Sequence, residues 1–170
     1  MAEEFSRVEK KYDIDLNGKK STLSDYGQKR EKLTTEKIFN YFDHFKYIIP
    51  QGSVMSVLGN KYVIGSLSNC IVIPEIYDSY GGIMFADQQL AQLMKRRCGV
   101  GADISSLRPS NMAVSNAAGT TTGAISFMER FSNTTREVAQ SGRRGALMLT
   151  IDVKHPEAEH FAKIKQDLKK

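Results

Sequence analysis

From about residue 50 onward the sequence predicts an α/β architecture with parallel strands. Three observations point there. Apolar runs of strand length alternate with segments of helical periodicity, and loops rich in Gly, Ser, Thr and Arg fall where the two meet. The composition, 41% hydrophobic and 25% charged over 170 residues, supports a buried core in a chain of single-domain size.

Residues 1 to 33 are charged and weakly periodic, with a turn signal at Asn17-Gly18, and read as a surface-lying lead segment. Thr34 or Thr35 can cap a helix in which Ile38, Phe39, Phe42 and Phe45 form one apolar stripe, ending before Pro50. Pro50 to Ser53 breaks it. Val54 to Leu58 reads as a short strand, Gly59-Asn60 as a turn, and the end of Ser66 to Pro74 as a buried strand. After a turn at Gly81-Gly82, Asp87 can cap a helix through Leu90, Leu93 and Met94 that closes on Lys95-Arg96-Arg97, and Cys98 to Gly101 ends it. An irregular small-residue segment runs from Leu107 to Thr122, followed by a helix carrying Ile125, Met128, Phe131 and Val138. Gly145 to Ile151 is strand-like, and His155-Pro156-Glu157 opens a final amphipathic helix with proline at its first position.

Several function classes are disfavoured. The two cysteines, Cys70 and Cys98, and three histidines are too few for a disulfide scaffold or a zinc site, so no metal site is read and a reduced, cytoplasmic setting is expected. No run of about 18 uncharged apolar residues occurs, and the start has no apolar signal core, so no membrane role is expected. The net charge of +5 is modest, and Lys154, Lys163, Lys165, Lys169 and Lys170 crowd the C-terminal end. They read as a solvated helix face; no aromatic platforms are interleaved with them, which argues against DNA as a partner. Arginines in loops between strands and helices favour phosphate-bearing ligands. No standard phosphate loop is present: Gly99-Val100-Gly101 lacks the later glycine of GxGxxG, and GxxxxGK[ST] is absent.

Taken together, SLSNCIVIP (66–74), DSYGGI (78–83), QLMKRRCGVGADISSLRP (92–109) and FMERFSNTTREVAQSGRRGALML (127–149) resemble the large, catalytic subunit of ribonucleotide reductase. The likeness runs in the family's own order from about residue 34 to 165. It implies the opening portion of the family's ten-stranded α/β barrel, preceded by a helical segment: a lead over residues 1–46 and the first part of the barrel over 47–170. Family members are far longer, so the resemblance implies a truncated or split chain that needs a complementary chain for activity.

Ribonucleotide reduction replaces the ribose 2′-hydroxyl with hydrogen through a thiyl radical on one face of the sugar and a pair of reducing thiols on the other. Cys70, in SLSNC, matches the first of that pair; read without the surrounding SLSN it is a small buried hydrophobe in a strand. Cys98 stands where relatives carry Gly or Ala and is read as a packing residue. Ser53, Ser68, Asn69 and Gly99 match substrate contacts, Gly99 because a missing Cβ allows close approach; Ser53 also reads as a plain turn residue. The radical source, a metal-containing small subunit or adenosylcobalamin, is expected outside this chain, with thioredoxin or glutaredoxin as reductant and a dimeric assembly.

The family also has an effector site, which binds ATP or a deoxynucleoside triphosphate and tells the active site which base to accept. Asp78, Ser79, Arg108 and Val114 match it, Arg108 as the phosphate-gripping cation or else as a structural Arg-Pro turn. Relatives usually hold a second cation just after the Val114 position, where this chain has Ser115. Residues 108 to 122 match the first specificity loop. Gln140, Ser141, Gly142, Arg143 and Arg144 match the second, with Ser141 where close relatives are acidic and Gly145 beside it giving the loop freedom to change shape. Two functions remain open: a piece of the reductase, or a non-catalytic nucleotide-binding or regulatory module, or relic, that keeps the effector site.

Overall fold

The computed structural model describes residues 1–11, 24–140 and 143–167, which divide into two compact units, Met1–Leu67 and Ser68–Lys170.

The first unit is helical. Helix α1 (Ala2–Lys11) packs on α3 (Thr35–Phe42), where Phe5 stacks on Phe42 with ring centroids 5.7 Å apart. A short α2 (Asp25–Lys29) lies between them in sequence. Thr34 caps α3, its Oγ1 accepting the Lys37 N–H at 3.2 Å, and Ile38 is buried as the periodicity requires. The expected stripe is only partly buried. α3 stops at Phe42, before His44 and Phe45 turn left-handed (φ 53° each), and Phe39, one residue round from Ile38, is 56% exposed. The strand expected at Val54–Leu58 is instead a helix, α4 (Gly52–Val57). Its buried residues are Ser53 and Val57, four apart and therefore on one helical face; no two-residue alternation holds them.

The second unit is built on a parallel sheet in the order β1-β2-β5, with β1 Cys70–Val72, β2 Gly99–Asp103 and β5 Leu147–Thr150. Cys70 pairs with Gly99 and Val100 with Leu147. Helix α5 (Tyr80–Met94) connects β1 to β2; α6 (Ala124–Glu137) lies between β2 and β5 and packs on α5. Leu90, Met94, Ile104 and Phe131 are fully buried in this core, each contributing roughly 1.5–3 kcal/mol.

Four expectations change here. Gly81 and Gly82 are not a turn but the first turn of α5, capped by Ser79, whose Oγ accepts the Gly82 N–H at 3.1 Å. A Cβ on Gly82 would stand 2.2 Å from the Tyr77 carbonyl oxygen, so the glycine serves close approach. Asp87 lies inside α5 and does not cap it. It is nearly buried, ion-paired with Arg130 at 3.0 Å and hydrogen-bonded by Thr134, and so ties α5 to α6. Gly99 to Gly101, read as a helix terminator, belongs to the central strand β2; Val100 and Ala102 alternate into the core and the glycines face the other way. The β1 strand is present but only Ile71 is partly buried, with Cys70 and Val72 exposed, because β1 is a sheet edge among the described residues.

After α6 a short pair, β3 (Ala139–Gln140) and β4 (Arg143–Arg144), runs antiparallel into β5. The last helix, α7 (Ala158–Asp167), starts after His155-Pro156-Glu157, which form the turn before it; Glu157 supplies the carbonyl that accepts the Phe161 N–H at 2.9 Å. Among the described residues no helix is long and apolar enough to cross a membrane.

Candidate functional site

Because β1, β2 and β5 are parallel, the sheet presents its strand starts at one end and its strand ends at the other. At the N-terminal end, Cys70 is exposed on the edge strand and Gly99 lies beside it in the ladder. The Gly99 N–H donates to the Asn69 carbonyl at 2.7 Å, and the Ser68 hydroxyl donates to the Cys70 carbonyl at 3.0 Å. A Cβ built on Gly99 would lie 3.6 Å from the Cys70 sulfur and 3.5 Å from the Ala146 methyl. The glycine therefore leaves unfilled the place a methyl group would take in contact with the thiol. Cys98 differs: it is completely buried, and its thiol donates to the Ser68 carbonyl at 3.4 Å. Ser53 is buried in α4 of the first unit; the other residues matched to substrate, Ser68, Asn69 and Gly99, surround Cys70.

Beyond the C-terminal ends of the strands, where α/β sheets bind ligands, Asp78, Ser79, Arg108 and Val114 line one cleft of about 210 Å³ together with Ser115 and Thr121. Arg108 Nε donates to Asp78 Oδ2 at 2.6 Å and Nη2 to the Asp78 carbonyl at 3.3 Å, so the guanidinium is held across the cleft by the chain that precedes α5. Both side chains remain about one third exposed. The segment after Arg108, read as irregular, closes into a narrow hairpin. Asn111 donates to Thr121 and Thr121 to Met112 (2.9 and 3.0 Å), Val114 donates to Gly119 at 3.0 Å, and Ala113 bridges Thr120. Ser115, at the tip, also lines the cleft.

Of the second segment, β3 and β4 pair Ala139 with Arg144 and Gln140 with Arg143, while Ser141 and Gly142 lie outside the described residues. Gly145, read as a source of loop freedom, is a packing position: a Cβ there would meet Met94 Sδ at 2.8 Å and the Thr135 carbonyl at 3.0 Å.

Sequence reasoning missed the parts played by two carboxylates, Glu157 and Asp103. Glu157, read as a helix opener, is 8% exposed and accepts two backbone N–H groups from the ends of the 110–123 hairpin. Asp103, at the end of β2, accepts from the Ser105 N–H and the Thr150 hydroxyl. The Ser105 hydroxyl, then the Ser105 N–H, hold its carboxyl below the ordinary range, with Thr150 adding to the effect. The Asp-x-Ser spacing was the available signal for the second; nothing local marked the first.

The sequence model described as "Ribonucleotide reductase, barrel domain" matches residues 68–170. The chain belongs to the ribonucleotide reductase barrel-domain family. It is 35% identical over 105 residues to the vitamin B12-dependent ribonucleoside-diphosphate reductase of Mycobacterium tuberculosis, covering 61% of this chain and 15% of that protein. The corresponding protein of Thermoplasma acidophilum is 34% identical over 114 residues, covering 66% and 14%. The ribonucleoside-diphosphate reductase large chain 2 of Saccharomyces cerevisiae is 31% identical over 102 residues, 59% and 12%. The chain thus spans about one seventh of the length of these reductases. In fold it is similar to the Actinobacillus ureae class Id ribonucleotide reductase alpha subunit, with a TM-score of 0.63 and 18% identity, over 95% of this chain and 26% of that one. The open three-stranded sheet is part of the reductase barrel fold.

Proposed function

We propose that the chain is part of a ribonucleotide reductase large subunit in which Cys70 is one of the two thiols that reduce the ribose. The observation that carries this reading is the exposed Cys70 beside the side-chain-free backbone of Gly99, at the strand that ends SLSNC. In the net reaction two thiols become a disulfide, the 2′ C–O bond breaks, the hydroxyl leaves as water and hydrogen takes its place. A sugar that must come close to the thiol needs a side-chain-free floor, and Gly99 supplies it. Cys98, buried and bonded to Ser68, is unsuited as the second thiol, so that thiol and the thiyl cysteine come from the remainder of the large subunit. The substrate is a ribonucleoside diphosphate, the class in the relatives' names.

The Arg108 cleft is the effector site of this reading, taking ATP or a deoxynucleoside triphosphate with its phosphates at Arg108 and its sugar at Asp78 and Ser79. Among the described residues no three His, Cys, Asp or Glu side chains gather in a set that could hold a metal ion. The radical source of this reading, adenosylcobalamin or a metal-containing small subunit, is external to this chain; it would supply the oxidation that makes the thiyl radical. Thioredoxin or glutaredoxin would restore the thiols.

The test is complementation. The chain is combined with the rest of a relative's large subunit, a radical source and a dithiol reductant, and deoxynucleotide formation is followed. Cys70→Ser should abolish turnover and Cys98→Ser should leave most of it; turnover unchanged by Cys70→Ser would overturn the assignment.

A further inference from the structure

Both ends of the hairpin that forms the cleft are tied to one tripeptide, His155-Pro156-Glu157, and the ties bracket Arg108. Upstream, His155 Nε2 lies 2.8 Å from the Leu107 carbonyl. The Glu157 N–H can only donate, and it points at His155 Nδ1 at 3.1 Å. Nδ1 is therefore the acceptor, and the ring proton sits on Nε2, directed at Leu107. Downstream, Glu157 Oε1 accepts the Ser110 N–H at 3.2 Å. Arg108 and Pro109 are the residues held between these two bonds.

The same carboxylate closes the far end of the hairpin. Glu157 Oε2 accepts the Ala124 N–H at 2.9 Å, at the start of α6, whose own cap residue, Gly123, has no side chain to offer. An anion at a helix N-terminus is stabilised by the helix dipole, and charge-assisted bonds from backbone N–H groups are the strong kind. Gly123 has φ +87°, and a Cβ there would stand 2.6 Å from Glu157 Oε1 and 2.5 Å from the Ser110 nitrogen. The junction has room for the carboxylate and for nothing larger at residue 123. At 8% exposure, Glu157 is spent on these two amides.

We propose that Glu157 is a positioning residue for the effector cleft: it fixes the root of the 110–123 hairpin and thereby the backbone on which Arg108 stands. The proposal rests on reading the cleft as a nucleotide site. It adds that the cleft's geometry is set from the segment following β5, a strand of the sheet that also carries Cys70. Arg108 is already aimed by Asp78, but that bond orients only the guanidinium; the His155 and Glu157 bonds locate the main chain beneath it. Glu157→Ala leaves two N–H groups without their acceptor and frees the hairpin root. Glu157→Gln keeps one carbonyl acceptor and loses the charge.

The experiment measures amide hydrogen exchange and dTTP affinity on the 170-residue chain for wild type, Glu157→Ala, Glu157→Gln, Arg108→Ala and the Glu157→Ala/Arg108→Ala double variant. The expected result for Glu157→Ala is loss of protection at Ser110, Ala124 and the hairpin amides between them, with Val100 to Ile104 of β2 still protected. dTTP affinity should fall about tenfold, Glu157→Gln should lie between, and Glu157→Ala should add less than about twofold on top of Arg108→Ala, since the two act through one contact. Hairpin protection unchanged in Glu157→Ala would overturn the proposal. So would effects of the two variants that multiply in full, or equal loss of β2 protection in Glu157→Ala and Glu157→Gln, which marks a general structural role. If the wild type takes up no dTTP, the effector reading falls, and the exchange pattern alone decides for or against the clamp.

Discussion

Replacing Arg108 by alanine separates binding from folding, because the structure predicts very different magnitudes for the two. The Arg108–Asp78 pair is short, 2.6 Å from Nε to Oδ2, but both side chains are about one third exposed. An ion pair so open to water contributes only about 0.2–1 kcal/mol to stability, which for a chain of this size lowers the melting temperature by no more than about 2–4 °C. Toward a polyphosphate the loss is larger. A guanidinium that donates charge-assisted bonds to phosphate oxygens is worth about 1.5–3 kcal/mol, a factor of roughly 10 to 150 in Kd. Asp78, left in the cleft without its cation, adds repulsion in the same direction. Arg108→Lys keeps the charge as a point but loses the fork that bonds Asp78 through Nε and its carbonyl through Nη2, so it should fall between wild type and alanine. Calorimetric titration with dATP, dTTP and dGTP, beside a thermal melt of each variant, makes the measurement. Affinity within about twofold of wild type in Arg108→Ala, or a melt lowered enough to account for the loss of binding, would refute the reasoning.

The remaining predictions concern the frame. Gly82→Ala places a methyl 2.2 Å from the Tyr77 carbonyl, and because that contact is with backbone it should cost about 3 kcal/mol and lower the melt by about 10 °C; an unchanged melt would show that the start of α5 can shift. Gly99→Ala meets its neighbours at ordinary contact distance, 3.5–3.6 Å, so the melt should stay put while alkylation of Cys70 by iodoacetamide slows, followed by mass spectrometry; equal rates would mean that Gly99 does not border the reactive face. Asp103 has its carboxyl pKa lowered, chiefly by the Ser105 hydroxyl and then the Ser105 N–H. Such a group stabilises the fold at pH values above the ordinary aspartate range and loses that contribution as the pH falls through its depressed folded value. Asp103→Asn should therefore flatten the acid limb of the stability profile and leave its neutral region nearly unaltered in shape, as read by denaturant midpoints between pH 2 and 7.

How much of this was legible in the sequence depends on the range of the interaction that decides each feature. The Thr34 cap and α6 are set by neighbours three or four residues away, and the strand after Gly145 by the alternation of its own residues, and the pattern showed them. Helix α4 was misread because Val54, Ser56, Val57 and Leu58 suit a strand by composition, while Ser53 and Val57 share the face that is buried. Gly81-Gly82 and Gly99-Gly101 look alike as punctuation. One opens a helix because Tyr77 must pass close by; the other runs in a central strand beside a thiol, and only the tertiary neighbours distinguish them. Asp87 and Glu157 were read as helix-end residues, the ordinary local use of a carboxylate, whereas their partners lie 43 and 33 residues away or more. In the cleft, Asp78, Ser79, Arg108 and Val114 come together from segments 30 or more residues apart. It was the family resemblance, not periodicity, that named them as a set.

Register then explains how two sites can share so small a sheet. Each of the three parallel strands begins beside the thiol and leads toward the cleft: Cys70 opens β1, which runs on to Asp78 and Ser79; Gly99 opens β2, which runs on to Arg108; Ala146 precedes β5, which runs on to His155 and Glu157. β2 covers four residue steps, about 13 Å at the usual rise per residue. The β3-β4 pair, with Gln140 opposite Arg143, enters β5 at the thiol end, while the Glu157 clamp leaves it at the cleft end. A shift of the Arg108 hairpin on binding a nucleotide would thus pull on the far end of the strand whose near end adjoins the arginine pair. If the coupling runs this way, dTTP should change exchange at the amides of β5 as well as those of the hairpin, and Glu157→Ala should confine the change to the hairpin. Changes in β5 that persist in Glu157→Ala would mean that the signal crosses through β2 or the α5–α6 face instead.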